Sequence, residues 1–395
     1  MVDGEKGLDD EPRDTYRVAY IVHFLLGAGS LVPWNSLITA VDYFGYLYPE
    51  KHVEKTFTVA YMSCSVLVLF VMMSCGFCTT RLSYRLRMNL GFAMFIASVM
   101  ASPIIDWTWK KGERDENVSY ILTVGSVVLC GLADGLVGGS LIGSAGKLPK
   151  QYMQAVFAGT ASSGVIVSVL RITTKASLPQ TPQGLRASAH FYFIVSSTIL
   201  FCCFLCNNLL YKLPVMQHHN KLLFRDEPLC STTRIWEVGK KIRWPASAIT
   251  MIYTVTLSIF PGFIAENLKS RLLQSWYPIM LITVYNISDF VGKSLTALYL
   301  WQSIKNATWA CVARLLFYPL FSACLRGPEW LRTEIPVVVL TFLLGLTNGY
   351  LTSVLMIMAP KSVPAAEAEL AAILMVAFLG VGLVSGSVLG WVWLI

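Results

Sequence analysis

The sequence predicts an all-α integral membrane protein with eleven transmembrane helices in a six-plus-five arrangement. Three observations carry that expectation. Of 395 residues, 55% are hydrophobic and 14% charged, whereas soluble domains carry about 25% charged residues. The apolar residues fall in windows of about 20, the length that spans a hydrocarbon core. The connectors between windows are short except for one, 212–243, which separates six windows from five.

Residues 1–17 are polar and acidic-rich, with no apolar h-region. No cleavable signal peptide is expected, and the first apolar segment reads as an internal signal-anchor. The segments run roughly 18–41, 56–79, 86–106, 118–146, 151–176, 188–211, 245–264, 275–300, 306–325, 333–359 and 366–394. Each is long and apolar enough to cross a bilayer as a helix. Trp107, Trp109, Trp301 and Trp330 stand near segment ends, where interfacial anchoring favours them.

Several segments carry polar or small residues that a plain membrane anchor does not need. The first holds Pro33-Trp34-Asn35. A proline there frees a backbone carbonyl and kinks the helix, and a flat, polar-edged ligand can use the Trp face and the Asn amide. The fourth holds Gly131, Gly135, Gly139 and Gly143, four apart, with Asp134 among them. Such spacing brings backbones close, either as static packing or as a track for helix movement, and Gly382, Gly386 and Gly390 repeat it in the eleventh. Arg171 in the fifth segment is a partner open to Asp134, and Arg314, followed by Pro319, stands in the ninth. Asp134, Arg171 and Arg314 are therefore the candidates for gating or proton coupling.

The eighth segment is the most polar. Asn286, Asp289 and Lys293 are spaced i, i+3 and i+7, so a helix presents all three on one face. Asp289 and Lys293 stand i, i+4 and can pair directly. A charge at the centre of a bilayer costs about 2.5–3.5 kcal/mol on insertion scales and is tolerated where it pairs or lines a watery cavity. A polar translocation site is the reading this favours. In the tenth segment Asn348-Gly349-Tyr350 reads as a flexible point in a helix rather than a hairpin turn, because the apolar run continues past it. The acids of Pro360–Glu369 stand near the start of the last helix, where they complement its dipole.

Lys and Arg are more numerous in the connectors that share a side with the N-terminus, much of the excess lying in 212–243. The positive-inside rule then places the N-terminus in the cytoplasm. The organisation expected is a cytoplasmic tail (1–17), a six-helix bundle (18–211), a cytoplasmic loop (212–243) and a five-helix bundle (244–395) in a multi-pass protein of the plasma membrane.

Other classes are set aside on the residues. Much of the net charge of +8 lies in the connectors between apolar segments, as membrane topology requires, so no nucleic-acid partner is expected. The ten cysteines lie mostly within apolar segments without a disulfide spacing. Cys75-Gly-Phe-Cys78 lacks a second half-site, and His218-His219 are isolated, so no metal or cofactor site is expected. Gly292-Lys293-Ser294 resembles the tail of a phosphate-binding loop, but Ile287 stands where its first glycine belongs. With 212–243 too short for a nucleotide-hydrolysing domain, the chain reads as neither an enzyme nor an ATP-driven pump.

Taken together these motifs resemble the equilibrative nucleoside transporter family, plant-type branch. The resemblance spans all eleven segments. It rests on Gly27–Asn35, Gly139–Pro149, Gln154–Lys175, Asn286, Asp289, Gly292 and Lys293, Arg314 with Pro319, Asn348–Tyr350, and Pro360–Glu369. The family implies a major-facilitator-like alternating-access fold that moves purine and pyrimidine nucleosides between its halves. Transport would be facilitated diffusion or proton-coupled, with protons as the candidate co-substrate. It implies that Leu31 and Trp34 line the pocket and that Asn286, Asp289 and Lys293 bind or order the ribose hydroxyls. Two departures stand out: Lys293 replaces a usual Arg, and Gly138 replaces a Gln that contacts the nucleobase. A carrier of nucleobases or another polar solute, and a receptor that binds without moving its ligand, are the rival readings.

Overall fold

A computed structural model describes residues 14–51, 53–75, 83–108, 116–179, 181–223, 232–260, 270 and 272–390. Every regular element among the described residues is helical. The first part holds α1 (Val18–Thr39), the short α2 (Val41–Leu47), α3 (Val53–Cys75), α4 (Tyr84–Thr108), α5 (Glu116–Lys147), α6 (Lys150–Ser177) and α7 (Pro182–Leu210). The connector carries α8 (Pro214–Leu223) and α9 (Thr232–Lys241). The second part holds α10 (Arg243–Ile259), α11 (Tyr277–Leu295), α12 (Ile304–Ala313), α13 (Phe317–Arg326), α14 (Glu334–Lys361) and α15 (Ala368–Leu389).

Among the described residues, nine helical stretches are long and apolar enough to cross a membrane, with α12 and α13 together forming one of them. The eleven expected from the sequence are not reached on length and hydropathy. The two that fall short are α10, with 17 residues, and α11, with 19. In α11 the cause is chemical, since Asn286, Asp289 and Lys293 interrupt its apolar run. Both helices are nonetheless packed lengthwise in the interior, α10 along α15 and α11 along α14.

The helices of the first part pack mainly on one another, α1 on α6 and α7, and α5 on α3 and α4. In the second part α10 packs on α15 and α11 on α14. Contacts of α6 with α11, and of α15 with α3 and α5, join the two. Glycines set the closest approaches. A Cβ on Gly27 would clash with the Val156 carbonyl of α6, and one on Gly159 with the Phe24 carbonyl of α1. The two glycine rows serve packing in the same way: Gly131 and Gly135 face the α3 backbone, and Gly382 and Gly386 face that of α10.

Span nine is not a single helix. Arg314–Leu316 form a 3-10 turn between α12 and α13. Pro319 lacks the N–H that the Leu315 carbonyl would otherwise accept, which explains the break. The Cys75–Cys78 pair lies outside the residues whose side chains are described.

Burial along the helices is uneven. Residues 152–159 of α6, 351–357 of α14 and 370–375 of α15 are buried all the way round. A helix buried on every face is enclosed by protein. The other ends of α6 and α14 are buried on one side only. The enclosed ends share one side of the molecule, that of the α5–α6 turn, where Lys147 of α5 pairs with Glu369 of α15 at 2.8 Å. That side is sealed.

Candidate functional site

The polar residues of α11 meet their partners at half-height. Asp289 Oδ2 lies 2.9 Å from Lys293 Nζ, one helical turn away as the i, i+4 spacing requires. Only 7% of Asp289 and 5% of Lys293 is exposed. The second carboxylate oxygen, Oδ1, accepts from Asn348 Nδ2 at 2.7 Å. Asn348 stands near the midpoint of α14 and reaches α11 because Gly349 lets the helices touch; a Cβ there would meet the Asp289 carbonyl well inside van der Waals distance.

From Asn348 the network continues. Its Oδ1 accepts from Thr256 Oγ1 of α10 at 2.9 Å, and Arg314 Nη2 donates to that same hydroxyl oxygen at 2.6 Å. Arg314 Nη1 donates to the Leu344 carbonyl at 3.1 Å and to the Thr347 hydroxyl. Lys293, Asp289, Asn348, Thr256 and Arg314 thus form one chain across α11, α14, α10 and the 3-10 turn of span nine. Buried charges in this setting need such partners, because an unpaired one is strongly destabilising.

On its other side the chain reaches α6. Lys293 Nζ lies 3.5 Å from Thr160 Oγ1. Asn286 Nδ2 donates to Ser168 Oγ at 2.8 Å and to the Gly164 carbonyl at 3.2 Å. One turn from Thr160, Ser163 Oγ accepts from Asn35 Nδ2 of α1 at 2.8 Å. Beside Asn35, half-buried Trp34 stacks on Tyr61 of α3, ring centroids 4.3 Å apart. Leu31 is also half-buried, one turn earlier on the same face of α1. Asn35 of α1 and the polar residues of α11 therefore meet on a single face of α6, with Trp34 beside Asn35 turned to α3.

The remaining candidates fall elsewhere. Asp134 of α5 does not pair with Arg171; its Oδ2 accepts from Ser65 Oγ of α3 at 2.6 Å. Arg171 instead pairs with Asp42 of α2 and donates to the Thr39 carbonyl at 3.1 Å, near the unsealed end. Gly138 lies one turn beyond Asp134, and a side chain built on it would enter open space. Among the described residues no cluster of His, Cys, Asp and Glu has metal-binding geometry.

Sequence reasoning missed the α6 contribution. Thr160, Ser163, Gly164 and Ser168 place small or hydroxyl residues on the face that meets α1 and α11. Their spacing of three, four and eight residues in an apolar run was the available signal. Thr256 carries no such signal, and the sequence around Asn348 reads only as a flexible point.

A helical fold of major-facilitator type is the class that this architecture defines. The xylose–proton symporter XylE shares the fold at a TM-score of 0.63 with 11% identity, covering 95% of this chain and 87% of that one. The E. coli fucose–proton symporter FucP aligns at 0.61 with 13% identity, covering 96% and 91%. The family follows from sequence. The model described as Nucleoside transporter matches residues 124–232 and 225–395. The Arabidopsis thaliana protein named Equilibrative nucleotide transporter 8 is 78% identical over all of both chains. Equilibrative nucleotide transporter 1 of the same plant is 49% identical over 97% of this chain and 88% of its own. This chain belongs to the nucleoside transporter family; it is a multi-pass membrane transporter and not an enzyme.

Proposed function

We propose that this protein carries purine and pyrimidine nucleosides across its membrane by alternating access, with residues 18–211 and 244–395 moving against each other. The observation that carries this reading is the buried Asp289–Lys293 pair at half-height, on the face of α11 that meets α6. Asp289 accepts hydrogen bonds from the ribose hydroxyls, Lys293 holds the carboxylate in place, and Asn286 supplies an amide beside them. Leu31 and Trp34 form the wall against which the base lies, since an aromatic face stacks on any base. Gly138 leaves the base edge without a side-chain contact, which favours breadth of base over selectivity.

The relatives' names refer to nucleotides, but the charges favour an uncharged substrate here. A phosphate calls for free cationic donors. Lys293 is paired with Asp289 and Arg171 with Asp42, and Arg314, buried, spends both Nη groups on Thr256, Leu344 and Thr347 and keeps only its Nε without a partner among the described residues. The decisive test is uptake of labelled uridine and adenosine in cells lacking their own carriers, competed by nucleosides, nucleobases, sugars and nucleoside monophosphates. Competition by nucleosides alone is expected. Stronger competition by monophosphates overturns the substrate assignment, and binding without flux overturns transport.

Coupling to protons has its candidate in Asp134, which is held by a serine and has no described cation within ion-pair distance. Accumulation above the bath concentration in proteoliposomes under an imposed pH gradient tests it; equal distribution means facilitated diffusion. Lysine and arginine placement supports a cytoplasmic N-terminus with all eleven helices crossing, and the plasma membrane is the location proposed. The sealed side then faces the cytoplasm, and an N-terminal epitope tag accessible in unpermeabilised cells would reverse that orientation.

A further inference from the structure

The two parts of the molecule repeat one packing scheme, but only up to a point. The α1–α6 contact has its counterpart in α10–α15, α3–α5 in α11–α14, and α4–α5 in span nine against α14. In the first part, α7 then covers both α1 and α4. Among the described residues no helix takes the corresponding place on α10 and α13. A groove of about 750 Å³ lies there, bounded by α10, α13 and α15. That volume is within the ~300–1,000 Å³ of typical ligand sites.

The groove asks for hydrocarbon. Its walls include Met251, Tyr318, Phe378 and Val381. Its hydroxyls are already engaged within the protein. Thr250 donates to the Phe378 carbonyl at 2.9 Å, Thr254 shares a hydrogen bond with Ser385 at 2.8 Å, and Tyr318 one with Ser258 at 2.7 Å. A polar ligand would find no free hydroxyl donor among them.

The end of the groove is charged. On α10 the lining residues Ser247, Thr250, Met251 and Thr254 form one stripe. One turn back on that stripe stands exposed Arg243, whose guanidinium lies 5.5 Å from the Trp244 ring. Three residues earlier Lys240 lies 5.4 Å from the Trp236 ring. Neither cation pairs with a described carboxylate, while neighbouring Lys241 is taken by Glu367 at 2.8 Å. Trp236 and Trp244 are 67% and 61% exposed. Exposed tryptophans beside unpaired basic residues, at the start of a membrane helix, are the chemistry of an anionic headgroup region.

We propose that this groove binds one anionic membrane phospholipid. An acyl chain fills the space between α10, α13 and α15, and the phosphate sits at Lys240 and Arg243. A helix of a second copy would cover the same hydrocarbon but would leave both cations without a counter-charge.

The test is native mass spectrometry of the full-length protein in detergent, titrated with phosphatidylglycerol and with phosphatidylcholine of identical acyl chains. A one-to-one complex is expected, with phosphatidylglycerol favoured about tenfold or more, since each basic residue near the headgroups adds to anionic-lipid affinity. Lys240→Glu with Arg243→Glu should bring the two lipids to parity. Val381→Trp, which leaves both charges and narrows the groove, should weaken both lipids about equally. Equal binding of the two lipids by the unaltered protein overturns the proposal, as does retention unchanged by Val381→Trp. A dimer whose formation expels the lipid also overturns it and assigns the groove to a second copy.

Discussion

Replacing Asp289 by Asn separates the two roles of that carboxylate. One oxygen faces Lys293 at 2.9 Å and the other accepts from Asn348 at 2.7 Å. An Asn in the same shape keeps one acceptor. If that oxygen stays on Asn348, the new NH2 points at the Lys293 ammonium, donor against donor. Removing one partner of a buried ion pair costs about 3–5 kcal/mol. Asp289→Asn alone should therefore lower both thermal stability in detergent and surface abundance. Asp289→Asn with Lys293→Met removes both charges, and removal of a whole buried pair is often close to neutral, so stability should return. Transport should not. A hydrogen bond from a substrate hydroxyl to a charged group contributes about 1.5–3 kcal/mol, or about 10- to 150-fold in apparent affinity. The assay is the initial rate of labelled uridine and adenosine uptake over a range of concentrations, at matched surface abundance. A double variant that is stable and transports within about twofold of the parent would refute the reasoning and make the pair a scaffold.

Gly138→Gln should raise thermal stability slightly, because a side chain at 138 enters open space and replaces a helix-interior glycine, and should alter the ranking of bases in competition uptake; an unchanged ranking removes Gly138 from the base end. Gly349→Ala should destabilise by about 1–3 kcal/mol, as overpacked sites do, through its clash with the Asp289 carbonyl. Helix propensity alone acts the other way by about 1 kcal/mol, so a raised melting temperature would contradict the close approach. Lys147→Ala removes the pair that ties α5 to α15 at the sealed side, where both side chains are largely buried, 13% and 14% exposed. Thiol labelling of an Ile373→Cys reporter on α15 should rise in that background; labelling at the parent rate would show that the pair does not hold the seal.

The helical membrane architecture was legible because most spans are long, apolar and separated by short connectors. The two that fail on length and hydropathy do so for different reasons: α11 carries the ionisable residues of the site, whereas α10 is simply short at 17 residues. A local pair such as Asp289–Lys293 was legible from helix geometry. Partners on different helices were not, because one chain does not state which faces meet. Asp134 and Arg171 were open to each other on paper, yet Arg171 turns to Asp42 on α2, a helix hidden in what reads as a connector. Thr256 was invisible for the same reason, as its importance comes from lying between Asn348 and Arg314.

The distribution of these bonds bears on how the carrier can move. Every strong element of the charged chain, from Lys293 through Asp289, Asn348 and Thr256 to Arg314, belongs to the second part of the molecule. Its links to the first part at this level are of a lighter kind: Asn286 to Ser168 and the Gly164 carbonyl, and Lys293 to Thr160 at 3.5 Å. A typical neutral hydrogen bond contributes about 0.5–1.5 kcal/mol net, against the 3–5 kcal/mol at stake when a buried ion pair is broken. Rocking of one part against the other therefore exchanges weak bonds along α6 and keeps the ion pair whole. In the binding mode proposed above, a nucleoside between Trp34 and Asp289 would take over the amide and hydroxyl partners that α6 releases. On that proposal the ion pair would serve as a fixed, preorganised acceptor throughout the cycle, with the α6 hydroxyls as the contacts made and unmade around it.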